Sequence, residues 1–436
     1  MSRPRLGHPS DILVVPANAD CEASDYITAD VHGNHAVFEK LNANRHHAGD
    51  RLFFAGDLVD RGTGNVEIVR AIIRNNADTR QGKIYSVRGN HEQLCLETIN
   101  ALSFLTKVKL YGLQDQTMML ILYALKKQSC TDSEIKYILK NKHISYFIKP
   151  SFLIGKRIFD DFCDESKMTK NKYFESIMND AEFKAQMDSV YGDLVSCVSA
   201  LSMHERNGGK WLLDLYFEEL ANAKISAATG GELKLSEDSD IAMIYYYMRE
   251  LPYIIHVQGE KPFNIVHADM PISTKKLLNR VVRGKGLSEH EKEYALWARA
   301  LHDTEIKIKK ITGCRRYSIP TIVGHTIDGG VRAETNTMNL DVAAFIRDCT
   351  VMVKMPECKV LIVKSKAAVE GVDRNVLNIA SNVQSQLDLQ EKLKKRRERH
   401  QEKRQKRKLM GLFTHPSAVN DCQHSDVKCT KKKNRK

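Results

Sequence analysis

Five short apolar runs along this chain each lead into a side chain that can bind a metal. Tyr26-Ile27-Thr28 leads to Asp30-Val31-His32-Gly33, and Leu52-Phe53-Phe54-Ala55 to Gly56-Asp57-Leu58-Val59-Asp60-Arg61-Gly62. Ile84-Tyr85-Ser86-Val87 leads to Arg88-Gly89-Asn90-His91-Glu92, Phe263-Asn264-Ile265-Val266 to His267-Ala268-Asp269, and Thr321-Ile322-Val323 to Gly324-His325-Thr326. Each run is rich in β-branched or aromatic residues and bounded by polar residues or Gly, the pattern of a buried strand. Open α/β sheets place their sites just beyond the carboxyl ends of strands. One such segment is common; the ordered set constrains the chain to an α/β fold whose strand ends converge. After Asp60, Val66, Val69 and Ile73 recur at helical spacing, which predicts a strand–loop–helix unit.

The residue types point to phosphoester hydrolysis at two metals. Water is a poor nucleophile and a phosphate dianion repels negative attackers. A pair of divalent ions about 3.5–4 Å apart clamps the phosphate oxygens and lowers the pKa of a water. Such a pair needs oxygen and imidazole donors from several directions and one bridging carboxylate. Asp30, His32, Asp57, Asn90, His267 and His325 supply that mixture. Three imidazoles favour Mn²⁺, with Fe or Zn²⁺ as alternatives, over Mg²⁺ alone. A structural zinc site is not expected, since no CxxC pair occurs and the candidate ligands are hard oxygens and imidazoles. Arg61 has the planar fork to hold two phosphate oxygens. His91, next to Asn90, is placed to protonate a leaving alkoxide, and Asp60 to orient it through the other ring nitrogen.

On these motifs the chain resembles the metallophosphoesterases of the phosphoprotein phosphatase type, and their bacterial and phage lambda phosphatase-like branch in particular. Asn207-Gly208-Gly209-Lys210-Trp211, Leu296-Trp297-Ala298-Arg299 and Asn339-Leu340-Asp341 carry that likeness further. The resemblance implies a mixed β-sandwich flanked by helices. It implies that Asp30, His32 and Asp57 hold one metal and that Asp57, Asn90, His267 and His325 hold the other, with Asp57 bridging. It also implies Arg61 and Arg299 as phosphate ligands, His91 as general acid paired with Asp60, and attack by a dimetal-bound hydroxide on phosphoserine or phosphothreonine without a phosphoenzyme. Ala29 stands where the family usually has Gly, a small change that removes no ligand. The stretch from Ala101 to Arg206 is longer than that branch carries, and secreted bacterial effector phosphatases of the Wip type are similar in having a helical insertion there.

The expected organisation is a lead-in over 1–23 with a short strand at Ile12–Val15, a catalytic core over 24–100 and 207–364, a helical insertion over 101–206, and a basic, partly disordered C-terminal extension over 365–436. Within the insertion helices are expected near 115–127, 132–141 and 170–203. A further helix is expected near Asp240–Glu250 and a closing hairpin at Val351–Val353 and Val360–Val363. The insertion reads equally as a packed decoration or as a docking arm.

Of the chain's net charge of +13, residues 386–436 carry +11, with 17 Lys and Arg against 6 Asp and Glu. The simplest reading of that tail is a solvated extension; it is also suited to anionic lipid, nucleic acid or an acidic protein. Few aromatic residues interleave the charges, so a base-stacking platform is not expected. The longest apolar run, Met118 to Leu125, is eight residues, far short of the ~20 needed to span a bilayer. The first residues lack the apolar stretch of a secretory signal. Ten unpaired-looking cysteines suit a reducing compartment. A cytoplasmic protein is expected, with export by a bacterial secretion system into a host cell left open. His35, His46 and His47 read as surface residues, and Asp269 as either a pocket or a loop-capping residue. Three other activities share these motifs: phosphotyrosine hydrolysis, dinucleoside polyphosphate hydrolysis, and a non-enzymatic binding role with a vestigial site.

Overall fold

The computed structural model describes residues 11–110, 141, 146, 181, 196–227, 233–299, 319–327, 331–334, 337–347, 349–355 and 357–364. In chain order the elements are β1 (Ile12–Val15), β2 (Asp25–Thr28), α1 (His35–Ala43), β3 (Arg51–Phe54), α2 (Asn65–Ala77), β4 (Ile84–Ser86) and α3 (Asn90–Leu110). A helical stretch over 196–206 precedes α4 (Lys210–Ala221), β5 (Ile225–Ala227), β6 (Leu233–Leu235), α5 (Asp240–Arg249), β7 (Ile254–Val257) and β8 (Phe263–Val266). Then come α6 (Thr274–Val282), α7 (Glu289–Trp297), β9 (Thr321–Val323), β10 (Arg332–Glu334), β11 (Thr337–Asn339), α8 (Ala344–Arg347), β12 (Cys349–Met355) and β13 (Lys359–Lys364).

The strands form two main sheets. One has the order β13-β12-β2-β3-β4, the other β1-β7-β8-β9-β11-β10, and β5 pairs with β6 in a separate hairpin. β2, β3 and β4 run parallel, linked by α1 and α2 as crossovers. The three loops that follow them therefore open at one end of the sheet. β8 and β9 are also parallel, so their two following loops share an end as well.

Alternation along the strands decides what each face meets. Leu52 and Phe54 of β3 join the cluster that includes Phe38 and Leu41 of α1 and Ile68 and Ile72 of α2. Phe53 between them points the other way, with its ring edge-to-face at 6.2 Å from Phe263 of the second sheet. On that sheet Ile254, Val266 and Val323 pack with Leu277 of α6 and Leu296 of α7. The layers are thus helix, sheet, sheet, helix: the mixed β-sandwich flanked by helices expected from sequence.

The five strands that lead to the motifs, the Ile12–Val15 strand, the helix at Asp240 and the β12–β13 hairpin all form. In α2 the inward face differs from that expected. Ile68, Val69 and Ile72 are buried, Val66 only partly so, and Ile73 is 38% exposed. Ile72, three residues after Val69, takes the inward position, and Ile73 falls on the flank. Helix α3 continues through residue 100 to Leu110, with Leu102 and Leu105 in the helix-side core. The 196–206 stretch adds Val198 and Leu201 to the same cluster. Of the helices expected within 101–206, that near 115–127 lies outside the described residues, as do most of those near 132–141 and 170–203. The 365–436 extension lies outside them too. Cys21, Cys95 and Cys358 carry no disulfide. No helix of the described residues is long and apolar enough to cross a membrane.

Candidate active site

The loops after β2, β3, β4, β8 and β9 bring Asp30, His32, Asp57, Asp60, Asn90, His91, His267 and His325 together. All except His325, which is half-buried, are at most 3% exposed. The ligand atoms of His32, Asp57 and His91 lie within 4.8 Å of one another, and so do those of Asp57, His267 and His325. Asp57 belongs to both groups. Its Oδ2 is 3.7 Å from His32 Nε2 and its Oδ1 3.4 Å from His267 Nε2. Asp30 Oδ2 stands 3.9 Å from His32 Nε2.

The backbone bends sharply to achieve this. His32, Asp57, Asp60, Arg61 and His325 all have positive φ, between 45° and 72°. Non-glycine residues avoid that region, and clusters of them mark sites where geometry is imposed by the surroundings. Much of the holding is done by Glu92, fully buried at the start of α3. Its carboxylate accepts from the backbone N–H groups of Asp57 (2.9 Å), Leu58 (2.7 Å) and Gly89 (2.8 Å). Gly56, at φ 90°, approaches the Gly89 backbone so closely that a Cβ would lie 2.8 Å from it. The two loops that carry Asp57 and Asn90 are thereby locked to each other.

The donor set fits a dinuclear metal centre. Asn90 Oδ1, His267 Nε2 and His325 Nδ1 converge at 2.8–3.1 Å. His267 Nδ1 bonds the Ala55 carbonyl at 2.8 Å, so it carries the proton and Nε2 presents a lone pair. His32 does the same, with Nδ1 3.1 Å from the Val59 carbonyl. Burial pushes the His32 and His267 imidazoles well below their usual range. Burial, then the nearby Arg299 charge, brings His325 down to about 3. Burial therefore favours the neutral form of all three imidazoles, the form in which a ring nitrogen can donate a lone pair. The carboxyls move the opposite way: burial pushes Asp57 up to about 7, and burial with the neighbouring Asp341 and Asp57 raises Asp30 well above the carboxylate range. Crowded buried carboxylates facing lone-pair nitrogens call for divalent cations.

The remaining polar groups flank these clusters. His91 Nδ1 donates to Asp60 Oδ2 at 2.6 Å, which leaves Nε2 facing the metal ligands, 3.8 Å from Asp57 Oδ2. Burial alone would lower the His91 pKa, but the Asp57 charge and the Asp60 bond outweigh it and the net shift is upward. The Arg61 fork spans His32 Nε2 (3.0 Å) and His91 Nε2 (3.2 Å), with its plane against the Phe345 ring at 4.7 Å. Arg299 is exposed and donates to Thr326 Oγ1 at 3.3 Å, next to His325 in sequence.

Some positions carry roles that the motifs alone do not announce. Asp341 is buried against Asp30. His204 and Trp211, either side of the Asn207-Gly208-Gly209 turn, both reach Asp60. A single polar run from His204 to Trp211 around a Gly-Gly pair was the one signal available for them. Asp269 accepts from the Met270 backbone and the Tyr294 hydroxyl, each at 2.9 Å, so it caps its loop and ties it to α7. His35 and His47 are part-exposed beside Glu39 and Asp20, and His46 is exposed. Ala29, in place of Gly, packs against Gly324 without disturbing a ligand.

The two-sheet core thus carries at its strand ends two donor clusters that share Asp57. Residues 26–184 match the family model described as calcineurin-like phosphoesterase, a span that includes every candidate residue from Asp30 to His91. No curated protein matches the chain. Among solved structures, a protein serine/threonine phosphatase from Saccharomyces cerevisiae is 11% identical, with 84% of this chain and 86% of that chain covered and a TM-score of 0.37. The cold-active protein-tyrosine phosphatase of a psychrophilic Shewanella is 11% identical, with 81% and 79% covered and a TM-score of 0.34. A protein provisionally assigned as a diadenosine tetraphosphatase is 13% identical, with 82% and 100% covered and a TM-score of 0.36. Likenesses of this degree say nothing of substrate.

Proposed function

We propose that this protein is a metal-dependent phosphoprotein phosphatase that hydrolyses phosphoserine and phosphothreonine monoesters in one step. The observation that carries the reading is the placement of the Asp60–His91 pair and the Arg61 fork beside two donor clusters that share Asp57. Asp30, His32 and Asp57 would hold one cation, and Asp57, Asn90, His267 and His325 the other, most readily Mn²⁺. When bound, the two cations supply Lewis acidity toward phosphate oxygens and acidify water.

The side chains supply the rest. Arg61 would present its N–H donors to equatorial phosphate oxygens, and Arg299, whose charge acts on His325, would contribute to the same group. Water adds to phosphorus as the ester P–O bond breaks. The bonding pair goes to the serine or threonine oxygen, which takes the proton from His91 Nε2. Asp60 keeps the His91 ring turned so that Nε2, not Nδ1, faces the leaving oxygen. The products are the free hydroxyl and inorganic phosphate. Among the described residues the two clusters that share Asp57 contain carboxylate and imidazole groups and no cysteine, and the reaction proposed needs no thiol nucleophile.

The substrate class is tested by phosphate release from matched phosphoserine, phosphothreonine and phosphotyrosine peptides and from a dinucleoside tetraphosphate, with Mn²⁺ and with chelator. The expected result is chelator-sensitive turnover of the first two. Preference for phosphotyrosine or the dinucleotide overturns the substrate assignment, and no metal-dependent turnover of any of them overturns the enzyme assignment.

A further inference from the structure

Asp60 is fully buried and carries three donors on its carboxylate. His91 Nδ1 reaches Oδ2 at 2.6 Å. Trp211 Nε1 reaches Oδ1 at 2.7 Å. His204 Nε2 lies 3.1 Å from Oδ1 and 3.0 Å from Oδ2, bridging both. Nε2 also lies 3.4 Å from Cys95 Sγ, and with two carboxylate oxygens nearer to it Nε2 carries a proton; Nδ1 stands 2.9 Å from the Thr98 hydroxyl. Only His91 of these three donors belongs to the metal-bearing loops. The other two come from a segment 144 and 151 residues further along the chain.

That segment has little freedom to move. The His204 ring is buried, and a Cβ on Gly209 would lie 2.2 Å from it, so only glycine lets the turn pass over the imidazole. Gly208, at φ 97°, presses on the backbone of Arg61, where a Cβ would meet the amide nitrogen at 2.8 Å. Asp60 and Arg61 are themselves consecutive left-handed residues, at φ 72° and 65°. Such a backbone persists only when its surroundings over-determine it. The 204–211 segment supplies that determination from outside, on the side chain of one residue and the backbone of the next.

From this arrangement, and resting on the assignment of His91 as general acid, we infer that His204 and Trp211 are positioning residues for proton delivery: they fix the Asp60 carboxylate and, through it, the direction of His91 Nε2. A carboxylate held by His91 alone can rotate about χ2 and take the imidazole with it. Three donors on its two oxygens stop that rotation. His204 touches neither phosphate nor metal; its effect passes through Asp60.

The role predicts a dependence on the leaving group that ordinary packing would not produce. Expulsion of a serine alkoxide needs a proton, whereas p-nitrophenolate leaves without one. The test is steady-state kinetics of wild type, His204→Ala and His204→Gln, with Mn²⁺, on a phosphoserine peptide and on p-nitrophenyl phosphate. His204→Ala should lower kcat on the phosphoserine peptide by about 10–100-fold, the range for losing an orienting partner. KM should be unchanged and kcat on p-nitrophenyl phosphate should stay within about threefold. His204→Gln, which keeps an N–H donor, should recover most of the loss. If His204→Ala does not fold, Trp211→Phe removes one donor while keeping a ring, and should show the same selective loss. An equal loss on both esters, or no loss on the phosphoserine peptide, overturns the inference while the hydrolase reading stands. Wild type inactive on both esters overturns the two together.

Discussion

Gly324 is the position where a single methyl group should disable the site. A Cβ there would lie 2.0 Å from Asp30 Oδ1 and 3.2 Å from the Ala29 methyl, where ordinary contact begins near 3.4 Å. Ala29 is walled in by buried neighbours, so the Asp30 carboxylate must give way by about 1.4 Å, the difference between 3.4 and 2.0. Two consequences follow for Gly324→Ala. The His325 backbone N–H, now 3.0 Å from Asp30 Oδ2, loses its charged acceptor; an unmet buried donor costs about 1–3 kcal/mol. A metal ligand is displaced by more than 1 Å, which in a preorganised site costs on the order of 10²-fold in turnover. The assay is metal content and affinity of the purified variant, denaturant unfolding with and without Mn²⁺, and kcat on a phosphoserine peptide. Weakened metal binding, a loss of about 1–3 kcal/mol without metal, and a large fall in kcat are expected. Wild-type affinity and kcat in G324A would refute the reasoning, because the Asp30 carboxylate would then not be confined as described.

Asp57→Asn should abolish turnover and reduce bound metal while circular dichroism and the unfolding midpoint stay close to wild type; substantial residual turnover would count against Asp57 as the shared ligand. Phe53→Ala empties the contact between the two sheets and should destabilise by about 3–5 kcal/mol in denaturant titration, while a loss under 1 kcal/mol would mean that the ring is not core. Glu291 is held down to about 2 from an ordinary 4.5, with the Arg280 guanidinium the main cause. Its folded-state pKa is depressed, so its contribution is present above pH 4.5 and fades as pH falls toward 2. The midpoint difference between wild type and Glu291→Gln should therefore shrink across that window, and a difference constant from pH 6 to pH 2 would show that the ion pair is not its source.

The parts of this molecule that were legible in its sequence are those where one physical signal dominates. Leu52-Phe53-Phe54 is apolar on both faces because β3 is central in its sheet and covered on both sides. The candidate ligands were legible because a strand end, a glycine and a carboxylate or imidazole fall within a few residues of one another. Three kinds of feature were not. The inward face of α2 depends on a one-residue phase that Val69 and Ile73 leave ambiguous. Helix α7 has little apolar periodicity, with only Ala295 and Leu296 buried; its start is set by the Ser288–Glu291 capping box, a short polar pattern. The left-handed backbone at His32, Asp57, Asp60, Arg61 and His325 has no glycine to announce it, because it is imposed by tertiary contacts such as the Glu92 carboxylate. His204 and Trp211 are marked in the sequence only by the Asn207-Gly208-Gly209 turn between them, which does not show what they reach: a carboxylate far away along the chain.

The hydrogen bond from the His325 amide to Asp30 joins residues 295 apart. Translation at about 5–20 residues per second places their synthesis roughly 15–60 s apart. For most of that interval the nascent chain lacks His267, and throughout it lacks His325, so the second cluster is incomplete, and β2 lacks its partner β12. The second donor cluster is therefore completed only when the last strands dock, late in the making of each molecule, and its geometry cannot be rehearsed by the first half of the chain alone.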